Sequence, residues 1–395
     1  MADERLVLIN QVCGHLFIDI CNAFAQEGFQ AELWTGSVHP GLQPLDSSVR
    51  VKFGPVYYRN LYLRRLLSWV GFTAWTKQQL QSVSSSTRVL AVSNPPFVPL
   101  LAANQGNPTA LVIYDLYPDV LSVHGFIGKQ NVVYRWWTRQ NRKAFARAEI
   151  VFTLTKEMAL ALRPYFETET EWRKKVVVIP NWAQSHIAPV NSSENAFLRE
   201  LNIRDGFLVI YAGNMGNTHP LESLVLAAER LTGDKIHFVF VGEGVKKNRL
   251  QKLVREKNLN HVRFFPYQPA EKFPHVLSAA SLNVVALDSR AAAASFPSKT
   301  YDLLAAGRPI LALAHPDSAL GRFVRAHRVG EVMEPEDIEG ITTLLRSLSG
   351  QSSVLQQWQE NARKLTREYT SQNAIRYVRE WQSRRVALKS AEVSS

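Results

Sequence analysis

Short apolar runs of strand length alternate with segments of helical periodicity along nearly the whole chain, and this alternation narrows the possible folds more than any other feature. RLVLIN (5–10) is one such run. LFIDICNAFAQEGFQ (16–30) spaces its apolar residues helically and stops near Gly28, and AELWTG (31–36) follows as the next run. A β-α-β order predicts a parallel sheet, because parallel neighbours need a crossover connection that a helix fills. TRVLAVSNPP (87–96), TALVIYDLYPD (109–119), EIVFTLT (149–155) and KVVVIPN (175–181) continue the series. WAQSHIAPVNSSENA (182–196) interrupts it with polar residues, Pro and Ser, and reads as a linker. The alternation then restarts at FLVIYAGNMGN (207–217) and runs through IHFVFVGEG (236–244), HVRFFPYQP (261–269), LNVVAL (282–287) and PILALA (309–314) to VGEVMEP (329–335). The expectation is an α/β chain of two Rossmann-like domains, residues 1–183 and 206–365, joined by a linker over 184–205. Residues 366–395 form a basic amphipathic helix that offers Tyr369, Ile375, Tyr377, Val378 and Trp381 as buried contacts.

A length of 395 residues suits two cores, since single cores stop growing near ~250–300 residues. The two cysteines, Cys13 and Cys21, make no disulfide framework and read as small buried residues in a reducing compartment. MADERLVLIN places Asp3 and Glu4 where a secretory leader needs a basic start. The longest charge-free run, between Arg88 and Asp115, holds Pro95, Pro96, Pro99 and Pro108, so it is not expected to span a membrane. The net charge of +12 is uneven: from Arg50 to Arg147 there are 13 Lys/Arg against two acids, Asp115 and Asp119. That region calls for an anionic partner, and nucleic acid, an anionic membrane and a phosphorylated substrate all answer at this point.

SFPSKTYDLLAAGRPILA (295–312) supplies the sharpest local signal. Pro297 suits a first helical position, Ser295 or a neighbour can cap, and Gly307 stops the helix before the next strand. Ser298, Lys299 and Thr300 then lie in the first turn, where free amides, a full positive charge and two hydroxyls suit an anion. The segment follows the strand LNVVAL, and ligands of open α/β sheets bind beyond strand carboxyl ends. Two glycine-bearing turns share that edge. YAGNMGN contributes Gly213, Asn214, Gly216 and Asn217, and VGEG contributes Glu243.

The ordered set YAGNMGN, LESLVLAAERL, FVFVGEG, VRFFPYQPAEKFPHVLSAASLNVVAL and FPSKTYDLLAAGRPILA resembles the donor domain of GT-B glycosyltransferases. More closely it is similar to family 4 retaining enzymes of the bacterial cell-surface polysaccharide type, in their "PSK" branch. VIPNW (178–182) and YDLYPDVL (114–121) also fit. The resemblance implies two Rossmann-like domains facing across a cleft, with the closing helix returning to the first. It implies a nucleotide-sugar donor, most often UDP-linked, on the second domain and an acceptor on the first. Carried over by position, Ser298, Lys299 and Thr300 take the diphosphate, Asp302 takes the ribose, Tyr267 lies beside the base, and the Gly213–Asn217 turn approaches the diphosphate. Three departures stand out. Of the family's two glutamates eight apart, the second is Asp302 and the first is Ala294. The Arg and Lys that often follow the glycine turn are replaced by Asn217 and His219, with Lys299 as the substitute cation. The His-Asp pair common after the fourth strand reads Tyr114-Asp115.

The resemblance also implies transfer with no cofactor beyond the co-substrate. No Asp-x-Asp metal pair occurs, and DLYPD spaces its acids by four, so no metal is expected. Positive groups placed where leaving-group charge accumulates are the main catalytic need, which points to Lys299. Asp115 is the candidate base or orienter and His15 a further catalytic candidate, while Gly14, His15, Asn94 and Asp119 are the acceptor candidates. His124 reads as a loop histidine. VYYRNLYLRRLLSWVGFTAWTKQQL (56–80) and VVYRWWTRQNRKAFARA (132–148) mix aromatics with cations. Either the rings are core and the cations a solvated face, or the rings sit at lipid headgroup depth while Arg59, Arg64, Arg65, Arg139 and Arg142 meet anionic lipid. The favoured reading is a cytoplasmic protein held peripherally on the inner membrane face, near a lipid-linked acceptor. A nucleotide-sugar epimerase is the enzyme alternative. A single-strand nucleic-acid binder is the other, and the donor-domain motifs speak against it.

Overall fold

The computed structural model describes residues 4–39, 41–58, 62–123, 125–203, 205–288 and 296–393. Ser295, Ala294, Arg59 and His124, all named above, lie outside them. The chain divides into two compact units, Met1–Asn181 with Ser371–Ser395, and Trp182–Thr370.

The first unit is built on seven strands: β1 (Arg5–Ile9), β2 (Gln30–Thr35), β3 (Arg50–Phe53), β4 (Arg88–Val92), β5 (Thr109–Ile113), β6 (Ile150–Thr153) and β7 (Val176–Val178). They lie in the order β3-β2-β1-β4-β5-β6-β7, and every neighbouring pair is parallel. The second unit holds β8 (Phe207–Ala212), β9 (Ile236–Val241), β10 (Val262–Phe265), β11 (Leu282–Ala286), β12 (Ile310–Leu313) and β13 (Gly330–Met333). Their order is β10-β9-β8-β11-β12-β13, again parallel throughout. Both are Rossmann-like sheets, and in both the order reverses beside the first strand of the unit, where such sheets bind ligands.

A parallel sheet covered on both faces reads as a continuous apolar run, and β8 illustrates why. All six of its residues are buried; Leu208, Ile210 and Ala212 enter the core on one face, while Phe207, Val209 and Tyr211 enter the core on the other. The segment expected as a linker behaves differently from its composition. Ala183, Ile187, Phe197 and Leu201 are buried in the core of the second unit, and Asn195 caps the helix Ala196–Leu201. A few apolar anchors at wide spacing suffice to pin a polar stretch, and composition averages them away.

The helix Asn373–Val393 belongs to the first unit and packs on the helix His15–Gln26. Tyr377, Val378 and Trp381 are fully buried, and Ile375 is half-buried. Trp381 meets the Phe24 ring edge-on at 6.1 Å, and its indole N–H donates to Glu149 at 2.7 Å. Tyr369 falls in the second unit instead, with its ring 4.8 Å from that of Tyr301.

Candidate active site

In the second unit, two glycine turns leave adjacent strands and lock together. The first follows β8, the second follows β9, and Gly213, Gly242 and Gly244 have φ of 145°, 138° and 149°. The Gly213 amide donates to the Val241 carbonyl at 2.8 Å and the Met215 amide to the Glu243 carbonyl at 2.8 Å. A Cβ on Gly242 would lie 2.0 Å from the Gly213 oxygen, and one on Gly244 would lie 2.5 Å from the Met215 oxygen. Only glycine permits that approach together with that backbone. Lys246 staples the pair: its amide donates to Met215, and its Nζ donates to the His219 carbonyl at 2.8 Å and to Glu222 at 3.0 Å. Glu243 pairs with Lys247 at 2.6 Å on the outside. Asn217 is exposed at the tip. The amides of Asn214, Gly216 and Asn217 carry no partner among the described residues.

Lys299 enters this site from below. Its Nζ stands 3.8 Å from the centroid of the Tyr211 ring and 3.5 Å from where a Gly213 Cβ would be. The nitrogen is buried and has no hydrogen-bond partner among the described residues, and burial lowers its pKa to about 7. The Tyr211 hydroxyl donates to the Asn214 carbonyl at 2.6 Å, which fixes both ring and turn. The Tyr267 ring, exposed to solvent, lies 3.4 Å from where a Gly242 Cβ would stand. Gly213, Asn214, Gly216, Tyr267 and Lys299 therefore lie around the same pair of turns.

The helix itself departs from expectation. It runs Lys299–Ala305, with Ser298 at the cap position and Pro297 before it. The Thr300 amide already donates to the Pro297 carbonyl at 3.0 Å, and its hydroxyl is fully buried. Seven residues make a weak dipole, so the Lys299 ammonium, rather than the helix start, is the main positive group at this end of the helix. Asp302 is buried, and burial raises its pKa to about 6. Its Oδ1 accepts the Gln184 amide at 2.9 Å and its Oδ2 accepts Gln184 Nε2 at 3.3 Å, so ribose is not its first partner. At the far end, the Gly307 amide donates to Leu304 and the Arg308 amide to Leu303, with Gly307 at φ 63°, the paired bonds of a Schellman stop.

In the first unit, the acceptor candidates sit at the carboxyl ends of β1, β4 and β5, which are neighbours. Gly14 caps the helix His15–Gln26 and has open space where a Cβ would stand. Asn94 accepts the Gln11 amide at 3.0 Å through its carbonyl. The Ser93 hydroxyl accepts the amides of Tyr114 and Asp115 at 3.0 and 3.2 Å, which aims the turn after β5. Burial raises the Asp115 pKa to about 6. Asp119 does not join this edge as an acceptor group. Its carboxylate takes the hydroxyls of Tyr134, at 3.0 Å, and Tyr165, and so braces the helix Val132–Arg147.

The basic–aromatic helices also require a correction. In Tyr62–Leu80 the rings face inward: Trp69 and Phe72 are buried, and Trp75 packs on Trp34 at 5.9 Å. The outward ridge is aliphatic. Leu63, Leu66, Leu67 and Val70 are 69%, 49%, 61% and 53% exposed, at the spacing of one helix face. Arg64 is exposed beside it, while the Arg65 guanidinium lies 5.4 Å from the Trp69 ring centroid. In Val132–Arg147, Trp137 and Phe145 are buried while Val132, Val133, Trp136, Arg139 and Arg142 are exposed. Tyr117 bridges the two helices, with its ring 5.6 Å from Trp69 and 5.9 Å from Trp137. No helix among the described residues is long and apolar enough to cross a membrane.

Sequence reasoning missed Tyr211, Gln184, Gln11 and Ser93. Tyr211 reads as one more apolar strand residue, and nothing in its neighbours marks the cation beneath it.

Residues 193–365 match the family described as "Glycosyl transferases group 1". A colanic acid biosynthesis glycosyl transferase of Escherichia coli (strain K12), WcaI, is 28% identical over 260 residues, 64% of this chain and 62% of that protein, so the match spans under two thirds of the relative. The glycosyltransferase WbjE of Pseudomonas aeruginosa is 25% identical over 345 residues, 82% and 84% of the two chains. Among solved structures, Anabaena HepE in complex with UDP superposes with a TM-score of 0.69 at 13% identity over 96% of this chain and 99% of that one. The likeness is one of fold, two Rossmann-like domains of the GT-B class.

Proposed function

We propose that this chain, which carries a group 1 glycosyltransferase domain over residues 193–365, moves a sugar from a UDP-linked donor to a lipid-linked or saccharide acceptor during cell-envelope polysaccharide synthesis. The names of the bacterial relatives support the polysaccharide setting, and the solved complexes of HepE with UDP and with UDP-glucose support the donor class. The observation that carries the reading is the Lys299 ammonium, buried without an acceptor among the described residues and beside the Gly213 turn.

A diphosphate brings oxygens to that nitrogen and to the free amides of Asn214, Gly216 and Asn217. As the bond between the sugar's anomeric carbon and the diphosphate breaks, negative charge grows on the bridging oxygen. A preorganised cation in a water-poor site stabilises that charge more than it would in water. The acceptor oxygen forms the new bond to the anomeric carbon, and its proton passes to the Asp115 carboxylate. We read the charge as neutralised by Lys299 rather than by a metal ion, and the transfer as retaining. Tyr267 offers a ring for the uracil. Asp302 acts by holding Gln184 and the 182–187 segment beside the site. In the first unit, Asp115 accepts the acceptor hydroxyl's hydrogen bond, and Gly14, His15 and Asn94 border it. The aliphatic ridge of Tyr62–Leu80 and the exposed Arg64, Arg139 and Arg142 suit the interface of an anionic membrane.

Calorimetric titration with a panel of nucleotide sugars tests the donor assignment. UDP-linked sugars should bind in the micromolar range. Binding of no member of the panel would overturn it, and release of free epimerised sugar from donor alone would replace transfer by epimerisation.

A further inference from the structure

Lys299 differs from the other lysines that approach a turn or strand end in this unit. Lys246 has two acceptors, Lys247 pairs with Glu243, Lys257 with Glu229 and Lys272 with Glu200. Lys299 alone among the described lysines has a buried Nζ with no acceptor. The face of Tyr211 lies 3.8 Å from that nitrogen, and the ring is nearly fully buried, so it cannot swing away. Its hydroxyl is tied to the Asn214 carbonyl at 2.6 Å, and the same turn closes over it. A ring face attracts an ammonium through its quadrupole without satisfying any of its three N–H donors. Nitrogen and turn are thereby held in register, and the donors stay unused.

We propose that Tyr211 is a positioning residue for donor binding: its ring face holds the Lys299 ammonium at the Gly213 turn, and an incoming diphosphate supplies the oxygen acceptors that the protein does not. This rests on the donor reading above and extends it to a residue with no polar reach to the ligand of its own. Burial of Lys299 fits the arrangement, since a pKa lowered to about 7 marks an ammonium that lacks a counter-charge.

The test compares Tyr211→Phe, which keeps the ring, with Tyr211→Leu and Tyr211→Met, which remove it in two shapes. UDP and uridine are titrated into each by calorimetry, and acylation of Lys299 by an amine-selective reagent is followed by mass spectrometry. The Phe variant should bind UDP within about threefold of the parent chain, and the ringless variants about tenfold or more weakly, as loss of a desolvated cation–π contact implies. Uridine, which carries no phosphate, should change less than about threefold in all of them, because a general loss of packing would weaken both ligands alike. Lys299 should acylate faster in the ringless variants than in the Phe variant. Equal UDP affinity with and without the ring, or equal losses for UDP and uridine, would overturn the role of Tyr211 and leave the donor reading standing. If the parent chain binds no UDP, the donor reading falls, and the acylation comparison alone decides whether the ring holds the lysine. Should one ringless variant fail to fold, the other carries the comparison; if both fail, Tyr211→Phe acylating Lys299 severalfold faster than the parent overturns the proposal, and unchanged acylation supports it.

Discussion

Lys299 and Asp115 carry opposite charges, yet burial acts on both in the same sense, against the charged form. Lys299 titrates near 7 in the folded chain against 10.5 when exposed. The unfolded chain therefore binds the extra proton between those values, and stability rises with pH across that window. Below about pH 7 the full burden of the buried ammonium is present. Lys299→Met places a thioether over the Tyr211 ring instead. It should raise the melting temperature by a few degrees at pH 6–7, an advantage that shrinks toward pH 10. The same variant should lose UDP affinity by about tenfold or more, so stability and binding move in opposite directions. A melting temperature that falls, or UDP affinity that holds, would contradict this pairing. Asp115 must be ionised to take up the acceptor hydroxyl's proton as a general base. With its pKa near 6, transfer rate should decline as pH falls through 6, and Asp115→Asn should cost about a hundredfold or more in kcat/KM without this acid limb. A pH–rate profile that is flat from 5 to 7 would remove Asp115 from the reaction.

Elements show which parts of the chain were legible. The alternation of apolar runs and helical periods placed the principal strands of both sheets, because parallel strands buried on two faces have no other way to read. The glycine turns and Lys299 were legible because glycines just after an apolar strand run, and a lysine just after a proline at a helix start, are local signals. The role of Asp119 was not, since both of its tyrosines lie far along the chain, at 134 and 165. Gln184 was hidden for the same reason, 118 residues from Asp302. The sequence left open whether Trp69 and Phe72 turn inward or toward lipid, because a helix with apolar residues on two faces does not say which face is buried; both are buried. That helix makes its own prediction. Changing Leu63, Leu66 and Leu67 together to Ser should reduce binding to vesicles containing anionic lipid by about tenfold or more, given ~25 cal/mol per Å² of apolar surface removed from water. Co-sedimentation equal to that of the parent chain would refute the membrane face. The turns make another. Gly242→Ala forces a Cβ to within 2.0 Å of the Gly213 oxygen at φ 138°, so it should cost about 1–3 kcal/mol in backbone strain alone and weaken UDP binding. Chemical denaturation that matches the parent would show that the turns part without penalty.

Over the whole molecule, the two units follow one building rule and hold different chemistry. The second presents amides and a cation where its sheet order reverses, which suits a diphosphate. The first presents carboxylate and amide groups at its own strand ends, with an aliphatic and cationic helix pair nearby, which suits an acceptor that arrives on lipid. The assignment of donor to the second unit is the claim on which the remaining roles depend. A crystal structure of the chain with UDP tests it most directly. The pyrophosphate should lie within hydrogen-bond reach of Lys299 Nζ and of the Asn214–Asn217 amides, with the uracil beside Tyr267. A nucleotide seated elsewhere, with Lys299 still held only by the Tyr211 ring, would contradict it.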